Sequence, residues 1–283
     1  LDYGNPQLPV YKRLMELPEG ANYEVVILLK KTKLINLAEY GISDFLIPAQ
    51  LPVPKIENPQ IDFQYQKQTY QSNSFYRNDL VKIIPLGKMR ASSIARLEIS
   101  PIAYNPKSNT LEVIEELEVQ ILISNVNQKT LNIEKQKYYS PYFQTLNNRL
   151  INGEAYSGAK IITTVNSFPL KYVIVADSMF KQSLQPFVRW KEKKGFKVIE
   201  AYQQNPAVGS TTTSIKSYLQ GLYNSASIDD PAPTYVLFVG DIAQMPAWTG
   251  VASSALRTDL YYCEFTNDEF PEMMYGRFSA NDT

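Results

Sequence analysis

Three acids stand where cation chemistry would need them. Asp241 follows the apolar run that ends at Val239-Gly240, and Asp268 and Glu272 share one loop. Calcium takes roughly six to eight oxygens, drawn from carboxylates and backbone carbonyls on flexible loops. The stretch Asn267-Asp268-Glu269-Phe270-Pro271-Glu272 offers two carboxylates and several carbonyls, with Asp241 reaching across. Pro271 removes an N–H but no oxygen, so it does not count against the site. The plainer alternative is that Asp241 caps a turn and the loop acids are solvated. Asp259 and Arg277 allow an ion pair or the wall of a site; the alternative is a surface or edge-strand charge pair worth at most about 1 kcal/mol. Nucleophilic chemistry is more restricted, because the chain has no histidine and one cysteine, Cys263. A Ser-His-Asp triad, a Cys-His dyad, a His-ligated zinc and an internal disulfide are excluded within these residues, and none is assigned a catalytic role. Cys263 lies in Tyr261-Tyr262-Cys263-Glu264-Phe265 and reads as a small buried hydrophobe.

The elements that must position these groups fall into two halves. The 283 residues are 44% hydrophobic with a net charge of zero, enough apolar material for a core and no basic excess for nucleic acid. Twenty tyrosines favour strands and extracellular surfaces. No apolar run reaches the ~18 residues of a membrane span, and no signal peptide is visible at Leu1. Residues 1–150 read as all-β: Asn22–Lys31, Asp79–Leu86, Ala95–Ile99 and Thr110–Ser124 are strand-like, with Leu117, Val119, Ile121 and Ile123 on one face. Pro141–Leu150 reads as a short helix within that half. Residues 151–169 read as a linker open to proteases. Residues 170–283 switch to strand, helix, strand, helix, strand: Lys171–Ala176, a helix capped by Asp177 or Ser178 and ended by Gly195, Phe196–Glu200, a helix capped by Thr212 or Thr213, and Thr234–Val239. That order predicts a parallel sheet covered by helices on both faces, a three-layer α/β arrangement. Three strands make an incomplete sheet, which predicts that this is the front of a longer product or that a partner chain completes it.

These pieces, in this order, resemble the gingipain family of cysteine peptidases, relatives of the caspases. Gly4-Asn5-Pro6-Gln7-Leu8-Pro9-Val10-Tyr11, Leu17-Pro18-Glu19-Gly20-Ala21 and Ile99-Ser100-Pro101-Ile102-Ala103-Tyr104-Asn105-Pro106 are similar to that family's propeptide. Tyr172–Ala176, Trp190-Lys191 to Lys194-Gly195, Tyr235–Asp241, Thr258–Tyr262 and Phe270–Ser279 are similar to the start of its catalytic domain.

The resemblance implies a secreted or surface-located bacterial endopeptidase zymogen, with the catalytic Cys/His dyad downstream of this chain and the remainder of the catalytic domain as its partner. Protein or peptide substrates follow, with no organic cofactor. It implies a structural calcium held by side chains of Asp241, Asp268 and Glu272 and by backbone oxygens of Phe265 and Phe270. Residues 1 to about 160 would be an inhibitory propeptide that presents a basic side chain to the specificity pocket. Lys88, Arg90 and Arg96, around Leu86-Gly87-Lys88-Met89-Arg90, are the candidates, against an ordinary solvated turn. Activation would need a cut at Lys160 or Arg149, with Lys160 preferred. Two other readings stand beside this one: a non-enzymatic surface binding or adhesion protein with a degenerate peptidase fold, and a sortase-like relative from a secretion pathway.

Overall fold

A computed structural model describes residues 2–53, 59–156, 169–250 and 256–282. The chain divides into two compact units. The first comprises Leu1–Arg13, Asn22–Ile84 and Arg96–Ser124; the second comprises Leu14–Ala21, Pro85–Ala95 and Asn125–Thr283. Two early segments and everything after Ser124 group with the α/β elements.

The first unit is built on a long ribbon. Strand β2 (Asn22–Asn36) pairs antiparallel with β6 (Thr110–Ser124), and β5 (Ile102–Asn105) pairs with the other edge of β6. Along β6, Leu117, Val119, Ile121 and Ile123 are half-buried while Glu118, Gln120, Leu122 and Ser124 are exposed, the period of two expected of a one-faced strand. Leu8, Leu37 and Tyr104 form a small core with Leu46, Tyr76, Ile102 and Leu111. A second sheet runs in the order β1 (Tyr11–Glu16), β4 (Ser92–Ile99), β3 (Val81–Met89). The residues of these strands are shared between the two units.

The expectation of an all-β first half is corrected by helices α1 (Lys67–Gln71) and α2 (Gln128–Lys137), while α3 (Pro141–Asn147) falls where a short helix was expected. Helix α2 has no strand-like alternation and starts on a true cap, Thr130 N–H donating to Asn127 Oδ1 at 3.1 Å.

In the second unit, β7 (Lys171–Ala176) lies between β8 (Lys197–Tyr202) and β9 (Tyr235–Val239), all parallel. A fourth strand, β12 (Met274–Phe278), pairs parallel with the far edge of β9, giving the order β12-β9-β7-β8. Two short strands, β10 (Trp248–Thr249) and β11 (Arg257–Thr258), form a separate antiparallel pair. Helix α4 (Lys181–Lys193) covers one face of the parallel sheet and α5 (Thr212–Asn224) the other. Successive strand side chains serve opposite faces. Val173 and Val175 pack with Ile215, Leu219 and Tyr223 of α5, whereas Ile174 and Ala176 pack with Leu184 and Val188 of α4. A strand buried on both sides must be apolar at every position, which is why KYVIVA and YVLFV carry no alternation. Thr211 rather than Thr212 or Thr213 caps α5, through a reciprocal capping box with Ser214. Among the described residues no helix is long and apolar enough to cross a membrane.

Candidate functional site

The two ends of the parallel sheet carry different chemistry. At the carboxyl end, Asp177 follows β7, Gln203 follows β8 and Gly240-Asp241 follow β9. Asp177 Oδ1 accepts from Met179 N–H at 2.8 Å and opens the turn into α4. Gln203 Nε2 donates to Gln244 O at 2.8 Å, tying the loop after β8 to the loop after β9. Asp241 Oδ1 accepts from Ile242 N–H at 2.8 Å, a local cap on an exposed residue. These loops enclose an open depression lined by Asp177, Gln203, Gln204, Ser210, Gln244 and Pro246. Open α/β sheets bind ligands in the crevice at this end.

Arg277, on β12, holds that rim in place. Its Nε and Nη2 engage Asp259 Oδ2 and Oδ1 at 2.9 and 2.6 Å, and its remaining donors reach Gly240 O, Met245 O and Pro246 O. Both side chains are about 15% exposed. Of the readings offered, the ion pair holds, on an edge strand rather than the open surface: it is bidentate and largely desolvated, and it fixes the 240–246 loop.

The amino end of the sheet carries the other acids. Glu272 is fully buried two residues before β12. Its Oε2 accepts from Phe265 N–H at 2.7 Å and its Oε1 from Thr266 Oγ1 at 2.9 Å. Asp268 Oδ2 lies 2.7 Å from the same Thr266 hydroxyl and accepts from Lys88 N–H at 2.6 Å, while Oδ1 accepts from Phe270 N–H at 2.8 Å. Burial first, then the nearby Asp268 charge, pushes the Glu272 carboxyl up to about 7, against the hydrogen bonds from Phe265 and Thr266.

Asp241 cannot join this pair. In the parallel register Met274 faces Tyr235 and Phe278 faces Val239, so Glu272 precedes the first matched pair and Asp241 follows the last. At about 3.3 Å per residue the two acids are separated by more than the length of the strand, roughly 20 Å. Among the described residues no group of three His, Cys, Asp or Glu side chains is placed to share a metal ion. Asp241 therefore stands apart from the other four residues of the expected calcium set. What remains is two carboxylates crowding a single hydroxyl, whose one proton can serve only one of them, with Phe265 and Phe270 in the same loop. Hard oxygen donors of that kind suit calcium but supply only part of its shell.

The basic candidates separate as well. Arg90 is buried, and its guanidinium donates to backbone carbonyls of Tyr138, Ala232, Pro233 and Glu272 at the amino end of the sheet. So committed, Arg90 is not the side chain presented to a pocket. Lys88 Nζ pairs with the exposed Glu19 at 2.9 Å, and Arg96 Nε pairs with Glu98 at 2.8 Å. Arg149 is exposed on the turn after α3, and Lys160 lies outside the described residues. Cys263 is wholly buried, and burial pushes its thiol well above the ordinary value. One group escaped the sequence reading. Glu16, fully buried, pairs with Lys135, whose Nζ also reaches Ser92 Oγ at 2.8 Å, and Asn152 grips the Glu16 backbone with hydrogen bonds of 2.7 and 2.8 Å. Burial raises the Glu16 carboxyl against the pull of Lys135. No local pattern announces a pair 119 residues apart in sequence.

Residues 2–148 match the Propeptide_C25 family, and residues 166–283 match Peptidase family C25. The chain belongs to the gingipain-like C25 peptidase family. Lys-gingipain of Porphyromonas gingivalis is 30% identical over 281 residues, covering 99% of this chain and 16% of the relative. Gingipain R2 of the same organism is 23% identical over 280 residues, covering 98% of this chain and 36% of the relative. The chain thus spans about a sixth to a third of these relatives. A solved structure described as zymogenic latency of gingipain K shares 28% identity over 44% of this chain and 67% of its own, with a TM-score of 0.40. A complex of Porphyromonas gingivalis RgpB pro- and mature domains shares 18% identity over 55% of this chain and 75% of its own, with a TM-score of 0.42. In this C25 chain the end of β3 with the turn at Arg90, α2 and α3 fall in the propeptide match, and β7 to β12 fall in the peptidase match. The hydrogen bonds from Lys88 to Asp268 and from Arg90 to Glu272 therefore join a propeptide residue to a peptidase residue within one compact unit.

Proposed function

We propose that this chain is the pro-segment and the leading part of the catalytic domain of a secreted or surface-located cysteine endopeptidase zymogen. The observation that carries the reading is the succession of a C25 propeptide match and a C25 peptidase match along one chain. Hydrolysis would use a thiolate and an imidazole in the remainder of the catalytic domain, through an acyl-enzyme intermediate, on protein or peptide substrates. This chain has no histidine, and its one cysteine is buried with a raised pKa, so its own share of the chemistry is positional. It supplies the rim at the carboxyl end of the sheet, held by Arg277 and Asp259.

The pro-segment would keep the enzyme latent until a cut in residues 149–169, with Lys160 preferred over Arg149. Of the three basic candidates, Lys88 and Arg96 would remain for a pocket, because ion pairs with Glu19 and Glu98 hold them while backbone carbonyls hold Arg90. A structural calcium would be held by Asp268 and Glu272 with carbonyl oxygens of Phe265 and Phe270, and without Asp241. No organic cofactor is needed.

The test is the full-length gene product, assayed for peptide hydrolysis before and after cleavage of the linker. Activity should be absent before the cut, appear after it, and survive Cys263→Ser. Absence of thiol-dependent hydrolysis after cleavage would favour the surface binding-protein reading. Calcium is tested separately by thermal unfolding with and without millimolar calcium. Stabilisation lost in Asp268→Asn supports the site, and none in the parent chain removes it.

A further inference from the structure

Arg90 sits in a turn that its own type disfavours. Strands β3 and β4 are neighbours joined only through Arg90 and Ala91, and Arg90 has φ of 56°. In two-residue hairpin turns a positive φ at the first central position is ordinarily given to glycine, asparagine or aspartate. A non-glycine residue there is strained and persists only where the surroundings over-determine it. The surroundings are specific. Arg90 Nε donates to Tyr138 O at 2.7 Å, Nη1 to Pro233 O and Glu272 O, both at 2.8 Å, and Nη2 to Ala232 O at 3.2 Å. Its guanidinium carbon lies 5.1 Å from the ring centre of Phe143 and 5.6 Å from that of Tyr223. The residue is 3% exposed.

We propose that the amino end of the parallel sheet is a built receptor for a guanidinium group, distinct from the carboxyl-end rim, and that Arg90 of the pro-segment fills it. Its acceptors are the carbonyls of Ala232, Pro233 and Glu272, completed by Tyr138, with Tyr223 and Phe143 as aromatic walls. Four carbonyls arranged around a plane match the fork of donors on a guanidinium and exceed the three donors of an ammonium. The cationic group also gains from the adjacent ring faces. The ligand class is therefore an arginine side chain, and the site selects against lysine. This inference does not depend on the peptidase reading, since its readout is thermal stability rather than hydrolysis.

The deciding variant is Arg90→Gly in the full chain. If Arg90 served only the turn, glycine would relieve the backbone and leave the melting temperature equal or higher. The receptor account expects a fall on the order of 6–10 °C for a unit of this size. Millimolar n-propylguanidinium, which replaces the missing side chain, should restore at least half of that loss in a saturable way. The same concentration of n-propylammonium should not, and neither should shift the parent chain. Arg90→Lys is the second variant, for the case in which Arg90→Gly does not fold, and it should lose a comparable share of stability. A parent-like melting temperature for either variant, or rescue by propylammonium equal to that by propylguanidinium, or no rescue of a folded Arg90→Gly, would overturn the proposal.

Discussion

Gly87→Ala is the sharpest perturbation that the contact between β3 and the loop before β12 allows. Gly87 has φ of +152°, and a Cβ built there would lie 2.6 Å from Asp268 Cβ, 2.7 Å from Cγ and 2.8 Å from Oδ2. The backbone region alone costs an alanine about 1–3 kcal/mol. Asp268 must also move, yet three donors hold it: Lys88 N–H, Thr266 hydroxyl and Phe270 N–H. Losing even one hydrogen bond to a carboxylate costs about 1.5–3 kcal/mol. The sum is about 3–6 kcal/mol. Gly20→Ala is the matched control, with φ of +73° and nothing within 4 Å of its Cβ, so only a backbone cost of about 1–2 kcal/mol applies. Urea unfolding followed by tryptophan fluorescence reads the correct unit, because Trp190 and Trp248 both lie in the second one. Adding Gly87→Ala to Asp268→Gly should reduce its penalty to the Gly20→Ala value, since Cβ, Cγ and Oδ2 are all gone. Equal losses for Gly87→Ala and Gly20→Ala in the parent chain would refute the reasoning.

Three further outcomes follow from the same structure. Asp259→Asn should cost about 2–4 kcal/mol in the same urea assay, because it leaves the Arg277 guanidinium largely buried without its counter-charge. Asp230 is held below its ordinary value of 3.8 first by the hydrogen bond from Lys171, with the Lys171 and Lys197 charges adding and burial opposing. A depressed carboxyl stabilises the fold above its unfolded pKa, and that contribution disappears as pH falls through the folded one. The stability difference between the parent chain and Asp230→Asn should therefore be present at pH 5 and vanish toward pH 2, and a difference constant across that range would contradict the assignment. Cys263 should resist a disulfide exchange reagent in the native chain and react fully in denaturant, as burial keeps it a thiol.

The sequence made some of this architecture legible and hid the rest for identifiable reasons. Strands β7 and β9 declare themselves because burial on two faces demands unbroken apolar runs. Strand β12 does not, because an edge strand tolerates Gly276 and Arg277. As a parallel strand, β12 begins at the other end of the sheet, and its preceding loop goes with it. Helix α2 was missed because its residues are mostly polar and its only sharp signal is the Asn127 cap. Contacts such as Glu16 with Lys135 and Arg90 with Glu272 join residues more than a hundred positions apart, and no local periodicity encodes them.

The proposal to be tested is that this chain leads a thiol peptidase zymogen whose nucleophile would be supplied by the remainder of the catalytic domain and silenced by the pro-segment. It is tested most directly by treating the full-length product with a peptidyl thiol-alkylating probe before and after linker cleavage, and locating the label by mass spectrometry. The account predicts a single labelled cysteine C-terminal to residue 283, modified only after the cut, with Cys263 untouched. Label on Cys263, or no labelled cysteine after cleavage, would contradict it.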